Sequence, residues 1–272
     1  QTYIRDRALI FEMLLHQNLD SAFYHPLSFY ESFETESQIP TVVLAPTIVN
    51  DGRRMIISAS SVSFLTNNFR SRRLNYVGAP ESIEFKTFFK NQNAENVAFS
   101  SALRMSATFP YVLPNVSLPS DPTIEVMDAG VRDNFGLLNN LNYIFHLKDW
   151  INENTSGVVI VQIRDTPKEI KITQNPVLSL FKSLSNPLGG FTKNWLKIQT
   201  YDQDLLIQFL ADGLNTNISI YDLALKSNPN EEIPISWHLT QNERENIKIA
   251  IEDSLVKNQI SKLLEKLNLG KE

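Results

Sequence analysis

The residues best suited to chemistry in this 272-residue chain lie between positions 101 and 134, in the run SALRMSATFPYVLPNVSLPSDPTIEVMDAGVRDN. Asp128 follows Thr123–Met127, a compact run read as a strand. Ala129 and Gly130 come next, and Asn134 stands four residues beyond Gly130. A carboxylate fixed at a strand end can act as a general base if it reaches a hydroxyl at about 2.6–3.2 Å. Gly130 would let the backbone turn sharply there, at positive φ if required. Asp133 or Asn134 could instead cap a following helix. Taken alone, an Asp-x-Gly after a strand is an ordinary turn signal. Ser106 lies among small residues near Pro110 and suits packing or backbone bonding better than nucleophilic attack.

Two blocks within this run resemble the patatin-like phospholipase family. Ser106-Ala107-Thr108-Phe109-Pro110-Tyr111-Val112-Leu113-Pro114 is similar to the family's small-residue block of the kind Ser-x-Ala-x-Pro-x-x-x-Pro. Asp128-Ala129-Gly130-Val131-Arg132-Asp133-Asn134 is similar to the Asp-Gly-Gly or Asp-Gly-Ala motif with its downstream asparagine. Two weaker likenesses fall in the same order. Asp6-Arg7-Ala8 followed by Glu12 resembles the helix between the family's catalytic motifs. Pro40 to Asn50 with Gly52-Arg53-Arg54 resembles its central strand and turn.

The resemblance implies a serine–aspartate dyad acting on lipid acyl esters. Asp128 would be the base, and Ala129, Gly130 and Asn134 its support. It implies no cofactor and no metal, and no acidic calcium loop is present. The implied fold is a three-layer α/β/α sheet, incomplete on its N-terminal side and followed by a mostly helical extension. Ala129 departs from the glycine usual after the aspartate. None of the nine glycines opens a Gly-x-Ser-x-Gly elbow, and no Gly-Gly-Gly oxyanion loop occurs; Gly189-Gly190 lies downstream, in the wrong order. The expected whole is therefore a hydrolase whose serine lies outside this chain, which alone would be inactive. The alternative is a non-catalytic interaction or structural module on the same fold. The lack of a leading methionine and the start within a helical pattern fit a fragment or a processed product.

The remaining residues narrow the choices. The four histidines, His16, His25, His146 and His238, match no metal-binding signature and read as packed or surface residues. A Ser-His-Asp triad stays open on sequence alone. With no cysteine, thiolate metal sites, disulfides and cysteine nucleophiles are excluded. A net charge of −5 argues against nucleic acid, and Arg70, Arg72 and Arg73 read as a solvated loop. No apolar stretch approaches the roughly 20 residues that span a bilayer, and Gln1 to His16 does not read as a signal peptide. Peripheral membrane contact remains open. The aromatic stretch Phe23 to Phe33 reads as core, with an acyl-binding wall or a lid as the sharper option. The expected partners are a lipid or acyl ester substrate, together with the missing half of the domain or a second copy.

These residues need a scaffold. Ile4, Ala8, Phe11 and Leu15 recur at helical spacing. Thr41–Ala45 and Arg53–Ser60, around the turn signal Asp51-Gly52, predict a hairpin. Residues 98 to 109 suit a short helix, and Leu137, Leu141, Ile144 and Phe145 form the stripe of a helix over 136–152. The apolar run Gly157–Ile163 predicts a buried strand, so strand, helix and strand would form a βαβ unit of an α/β fold. Residues 1–165 are assigned to the patatin-like part. Residues 166–272 form a loop-rich, helical extension of it, in a separate or the same domain. There Pro187 and Gly189-Gly190 break a loop, Tyr201–Leu214 is helical, and Asn217–Leu225 is strand or helix. Thr240-Gln241-Asn242-Glu243 is a capping box. It opens a helix with Ile247, Ile251 and Leu255 on one face, and a last helix carries Ile260, Leu263 and Leu267.

Overall fold

A computed structural model describes residues 7–66, 78–108, 114–164, 168, 187–213, 217–225 and 239–268. Ile4, Asp6, the arginines at 70, 72 and 73, Phe109–Leu113, Gly270 and His238 lie outside the described residues. The fold is mixed α/β. The chain divides into two compact units, Gln1–Leu147 and Lys148–Glu272.

The first unit is organised by a five-stranded sheet. In chain order its elements are α1 (Arg7–Asn18), α2 (Leu27–Thr35), β1 (Thr47–Ile48), β2 (Arg54–Ile56), β3 (Ser82–Glu84), α3 (Phe85–Phe88), α4 (Phe99–Ser106), β4 (Val116–Leu118), β5 (Ile124–Met127), α5 (Gly130–Asp133) and α6 (Leu137–His146). The strand order is β3-β2-β1-β5-β4. Pairing is antiparallel except between β2 and β3, which run parallel. The hairpin expected at Asp51-Gly52 is present, with Gly52 at φ +76°. Its first strand begins later than the Thr41–Ala45 run suggests: Thr47 pairs with Arg54, and Leu44 makes only an isolated bridge to Ile57.

Alternation along β2 divides its side chains between two apolar clusters, as successive strand residues point to opposite faces. Met55 and Ile57 join Leu27, Phe99, Ala102 and Val126 in the larger one. Ile56 packs with Ala45, Val62 and Leu65, and Tyr143 of α6 closes on that group. In α6, Leu137, Leu141 and Ile144 are buried, as their spacing predicts.

The second unit contains α7 (Lys148–Asn154), β6 (Val158–Arg164), α8 (Pro187–Gly213), β7 (Ile218–Ala224), α9 (Gln241–Ile251) and α10 (Ser254–Asn268). The βαβ unit expected to join β5 to β6 is not formed. Both edges of β5 are taken, by β1 and β4, so no edge remains for β6. The parallel crossover falls one strand later, where β6 pairs with β7 from Val158–Ile218 to Arg164–Ala224 and α8 intervenes in sequence. This pairing makes 218–224 a strand rather than a helix. Where a loop was expected, Pro187 opens α8 and Gly189-Gly190 lies within it; the first helical position needs no N–H. The capping box forms as expected: Thr240 Oγ1 accepts from Glu243 N, and the Glu243 carboxylate accepts from Thr240 N at 2.6 Å. The stripe expected from Ile247, Ile251 and Leu255 is not buried: Ile247 is half-buried, and Ile251 and Leu255 are exposed, Leu255 falling in α10. The buried positions are Ala250 of α9 and Val256 of α10.

Candidate active site

The local chain path around Asp128 is set by hydrogen bonds from three directions. Thr47 Oγ1, on the neighbouring strand β1, donates to Asp128 O at 2.9 Å. Asp128 N donates to Thr108 O at 2.7 Å, and Ala129 N donates to Ser106 O at 3.0 Å. The two sequence blocks, Ser106–Thr108 and Asp128–Ala129, are thus stitched together at the end of β5. The Phe109–Leu113 part of the first block lies outside the described residues. Upstream, Glu12 of α1 pairs with Arg104 and accepts from Ser101 Oγ, so the segment with the weaker resemblance is tied to the helix that leads into the block.

The Asp128 side chain is held at one oxygen. Gly130 N donates to its Oδ1 at 2.6 Å, and Oδ2 has no hydrogen-bond partner among the described residues. Burial pushes the carboxyl group above its ordinary proton affinity, and the Gly130 N–H partly opposes that rise. Gly130 is needed here for space rather than for a positive φ, since it is not among the positive-φ glycines. A methyl group on it would stand 2.5 Å from Asn134 Oδ1 and 2.7 Å from Asp128 Oδ1. The side chains of Asp128 and Asn134 therefore converge over Gly130. Ala129 begins the turn of α5, its carbonyl accepting from Arg132 N and Asp133 N.

Neither capping candidate occupies the N-cap of α6, which is Gly136, but Asp133 reaches its first turn. It is buried, and its carboxylate accepts backbone N–H groups of Leu138, Asn139 and Leu137 in the first turn of α6. Asn134 is left beside Asp128. Ser106 Oγ is buried and unpaired, while its carbonyl serves the Ala129 contact. No histidine among the described residues bonds to Asp128. His16 Nε2 lies 3.3 Å from Ser100 Oγ, His25 stacks on Phe29, and His146 meets the edge of Phe64. No group of three or more His, Cys, Asp or Glu residues that could hold a metal ion occurs among the described residues.

Sequence reasoning missed the polar residues beneath the turn. Arg54 is only 3% exposed and donates from Nη1 to Asn139 Oδ1 at 2.6 Å. Glu81 lies near both Arg54 and Arg132, at 3.8 and 3.4 Å. A signal was available: period two along the strand places Arg54 on the same face as Ile56, which is an inward position. Arg132 pairs with Glu81 rather than standing alone in a loop.

No model of a protein family, no curated protein and no solved structure matches this chain.

Proposed function

We propose that this chain is the aspartate-bearing part of a patatin-like serine lipid acyl hydrolase, with Asp128 as the general base of a serine–aspartate dyad. The observation that carries this reading is the convergence of the two motif blocks. Ser106 and Thr108 bond to Ala129 and Asp128, and they leave the aspartate with one tethered and one open carboxylate oxygen. The nucleophile would come from polypeptide outside these 272 residues.

The chemistry then follows from a carboxylate and a hydroxyl. Asp128 takes the serine proton as the serine oxygen adds to the acyl carbonyl. The tetrahedral intermediate collapses, and the departing alcohol receives that proton. Water attacks the acyl-serine with Asp128 again as base, releasing the fatty acid and restoring the serine. Burial favours the step, because a carboxylate with raised proton affinity is a stronger base than one in water. Asn134 supports the site from the side, and the dyad itself requires no metal.

The test is fluorophosphonate labelling of the longest natural polypeptide that contains this chain. Labelling is expected, with a large loss in Asp128→Ala. Labelling that never occurs, or that survives the substitution unchanged, removes the dyad. A non-catalytic module on a related fold is the second reading. One observation favours it: the Gly130 N–H bond to Oδ1 is a sufficient structural reason for an aspartate at 128. A natural coding sequence without Gly-x-Ser-x-Gly upstream of Gln1 would decide for the module.

A further inference from the structure

Arg54 is an expensive residue to keep inside a sheet. Its side chain is buried among the strands, and Nε has no hydrogen-bond partner. Burial alone weakens its hold on the proton, which marks the cost of removing the charge from water. A guanidinium persists in such surroundings only where opposite charge and hydrogen bonds offset that cost.

Hydrogen bonds come from the segment that follows Asp128, and the ion pair comes from Glu81, whose carboxylate lies 3.8 Å from Nη2. Asp133, 3% exposed, adds a second negative charge that favours the charged guanidinium. Asn139 accepts from Nη1 at 2.6 Å. Asp133 is engaged a second time, since its carboxylate also holds the first N–H groups of α6. The turn between these anchors is Gly130–Asp133, with Asp128 and Asn134 at its two ends. Arg132 faces outward to Glu81, which also pairs with Arg54, while on the inside Asn139 accepts from Arg54 and donates its N–H to Asp133 Oδ2 at 3.3 Å.

We infer that Arg54, through its hydrogen bond to Asn139 and the bond from Asn139 N to Asp133, is a positioning device that clamps the α5 turn to the sheet and thereby fixes the Asp128 carboxylate and the Asn134 amide relative to each other. The inference rests on the reading of Asp128 as a base. Arg54 and Asp133 touch no reacting atom in this scheme, and they act through the turn. The rival explanation is that these residues only stabilise the fold.

The double variant Arg54→Met with Asp133→Asn separates the two. It removes both charges at similar volume, and asparagine keeps an acceptor for the α6 N–H groups. Replacing buried charges together by groups of similar volume commonly preserves stability. Three quantities are read: the thermal midpoint and the carbon-13 titration of the Asp128 carboxyl in this chain, and the fluorophosphonate labelling rate in the longest natural polypeptide. The expected result is a parent-like midpoint, an Asp128 titration displaced downward toward the ordinary carboxylate range, and labelling slowed about tenfold as the base loses its alignment. A parent-like midpoint with an unchanged Asp128 titration overturns the inference. Absence of labelling in the parent removes the hydrolase reading alone, because the titration still reports on the clamp. If the double variant fails to fold, Arg54→Lys decides. It keeps the charge but loses the guanidinium fork that reaches Asn139, so a smaller displacement in the same direction is expected, and an Asp128 titration identical to the parent's overturns the clamp.

Discussion

The two units use their apolar residues in opposite ways. In the first, all three residues of β2 are buried, and Met55, Ile56 and Ile57 are fully inaccessible. That cover is complete enough to enclose charged groups, each matched by partners: Glu34 binds Val42 N, Ser60 N and Ser60 Oγ, and Glu84 binds Val62 N and Thr87. In the second, β6 buries Ile160, Gln162 and Arg164 but leaves Val161 43% and Ile163 82% exposed. Every residue of β7 is only half-buried. The first unit is held by its core, whereas the second leans on local devices such as the capping box and the strand ladder.

Truncation of the core should therefore give the largest contrast. Met55→Ala removes a fully buried side chain from the main cluster and is expected to cost about 2–5 kcal/mol, the range for large-to-small changes in packed interiors. Ile163→Ala, on the bare face of β6, should stay within about 0.5 kcal/mol. Denaturant unfolding of the two variants measures both. Equal costs would mean that the exposed face of β6 is covered in solution and that the contrast fails.

The next effect compares two glycines, one in each unit, at which an added methyl group finds no room, Gly157 also standing at φ +155°. At Gly130 an added methyl group meets side-chain atoms of Asn134 and Asp128; at Gly157 it meets the backbone oxygen of Asn217 at 2.6 Å. Overpacking of this kind costs about 1–3 kcal/mol. The two should differ in what they disturb. Gly130→Ala pushes Asp128 and Asn134 apart, so it should slow fluorophosphonate labelling. Gly157→Ala should loosen the β6–β7 ladder at Val158 and leave labelling untouched. An effect on labelling from Gly157→Ala as large as that from Gly130→Ala would break the distinction.

These sites also show how far the sequence could be read. The capping box at Thr240 and the turn at Asp51-Gly52 were legible because their chemistry is contained within four residues. The stripe of α6 was legible because helical spacing alone decides which residues face inward. The pairing of β5 was not. Its partner β1 lies about 80 residues upstream, with Thr47 opposite Met127, and nothing local to either strand announces that register. The site divides in the same way. Asp128, Gly130 and Asn134 follow one another closely enough to form a pattern. Arg54 and Asn139, 85 positions apart, meet only through the fold.

A third contrast sets a local device of the second unit against the core. Thr240→Ala removes the side chain that accepts from Glu243 N, and the reciprocal bond from Glu243 to the Thr240 backbone loses its partner arrangement. The expected cost is about 1 kcal/mol, seen as faster amide exchange in the first turn of α9. In the second unit such a loss is comparable to removing an apolar side chain such as Leu255, which is 58% exposed. In the first unit it would be minor beside Met55→Ala. Exchange unchanged by Thr240→Ala would show that packing, not the cap, holds α9.

The smallest effect concerns the charge of Asp128. Its ordinary value is 3.8, and burial raises it in the folded chain. The folded state therefore binds the proton more tightly than the unfolded state. Below the ordinary value the group is protonated in both states and costs nothing. As the pH climbs from there through the raised folded value, the buried group must ionise, and stability is lost until that titration is complete. Asp128→Asn removes this loss, so the variant should gain on the parent across that window and keep a constant advantage above it. Activity runs against stability over the same range. The base works only when ionised, so labelling should rise with pH along a limb that lies above the ordinary carboxylate range. Unfolding and labelling measured on one pH series tie the two together. A labelling limb at the ordinary value, beside a stability loss displaced above it, would show that the group titrating in the fold is not the one that activates the serine.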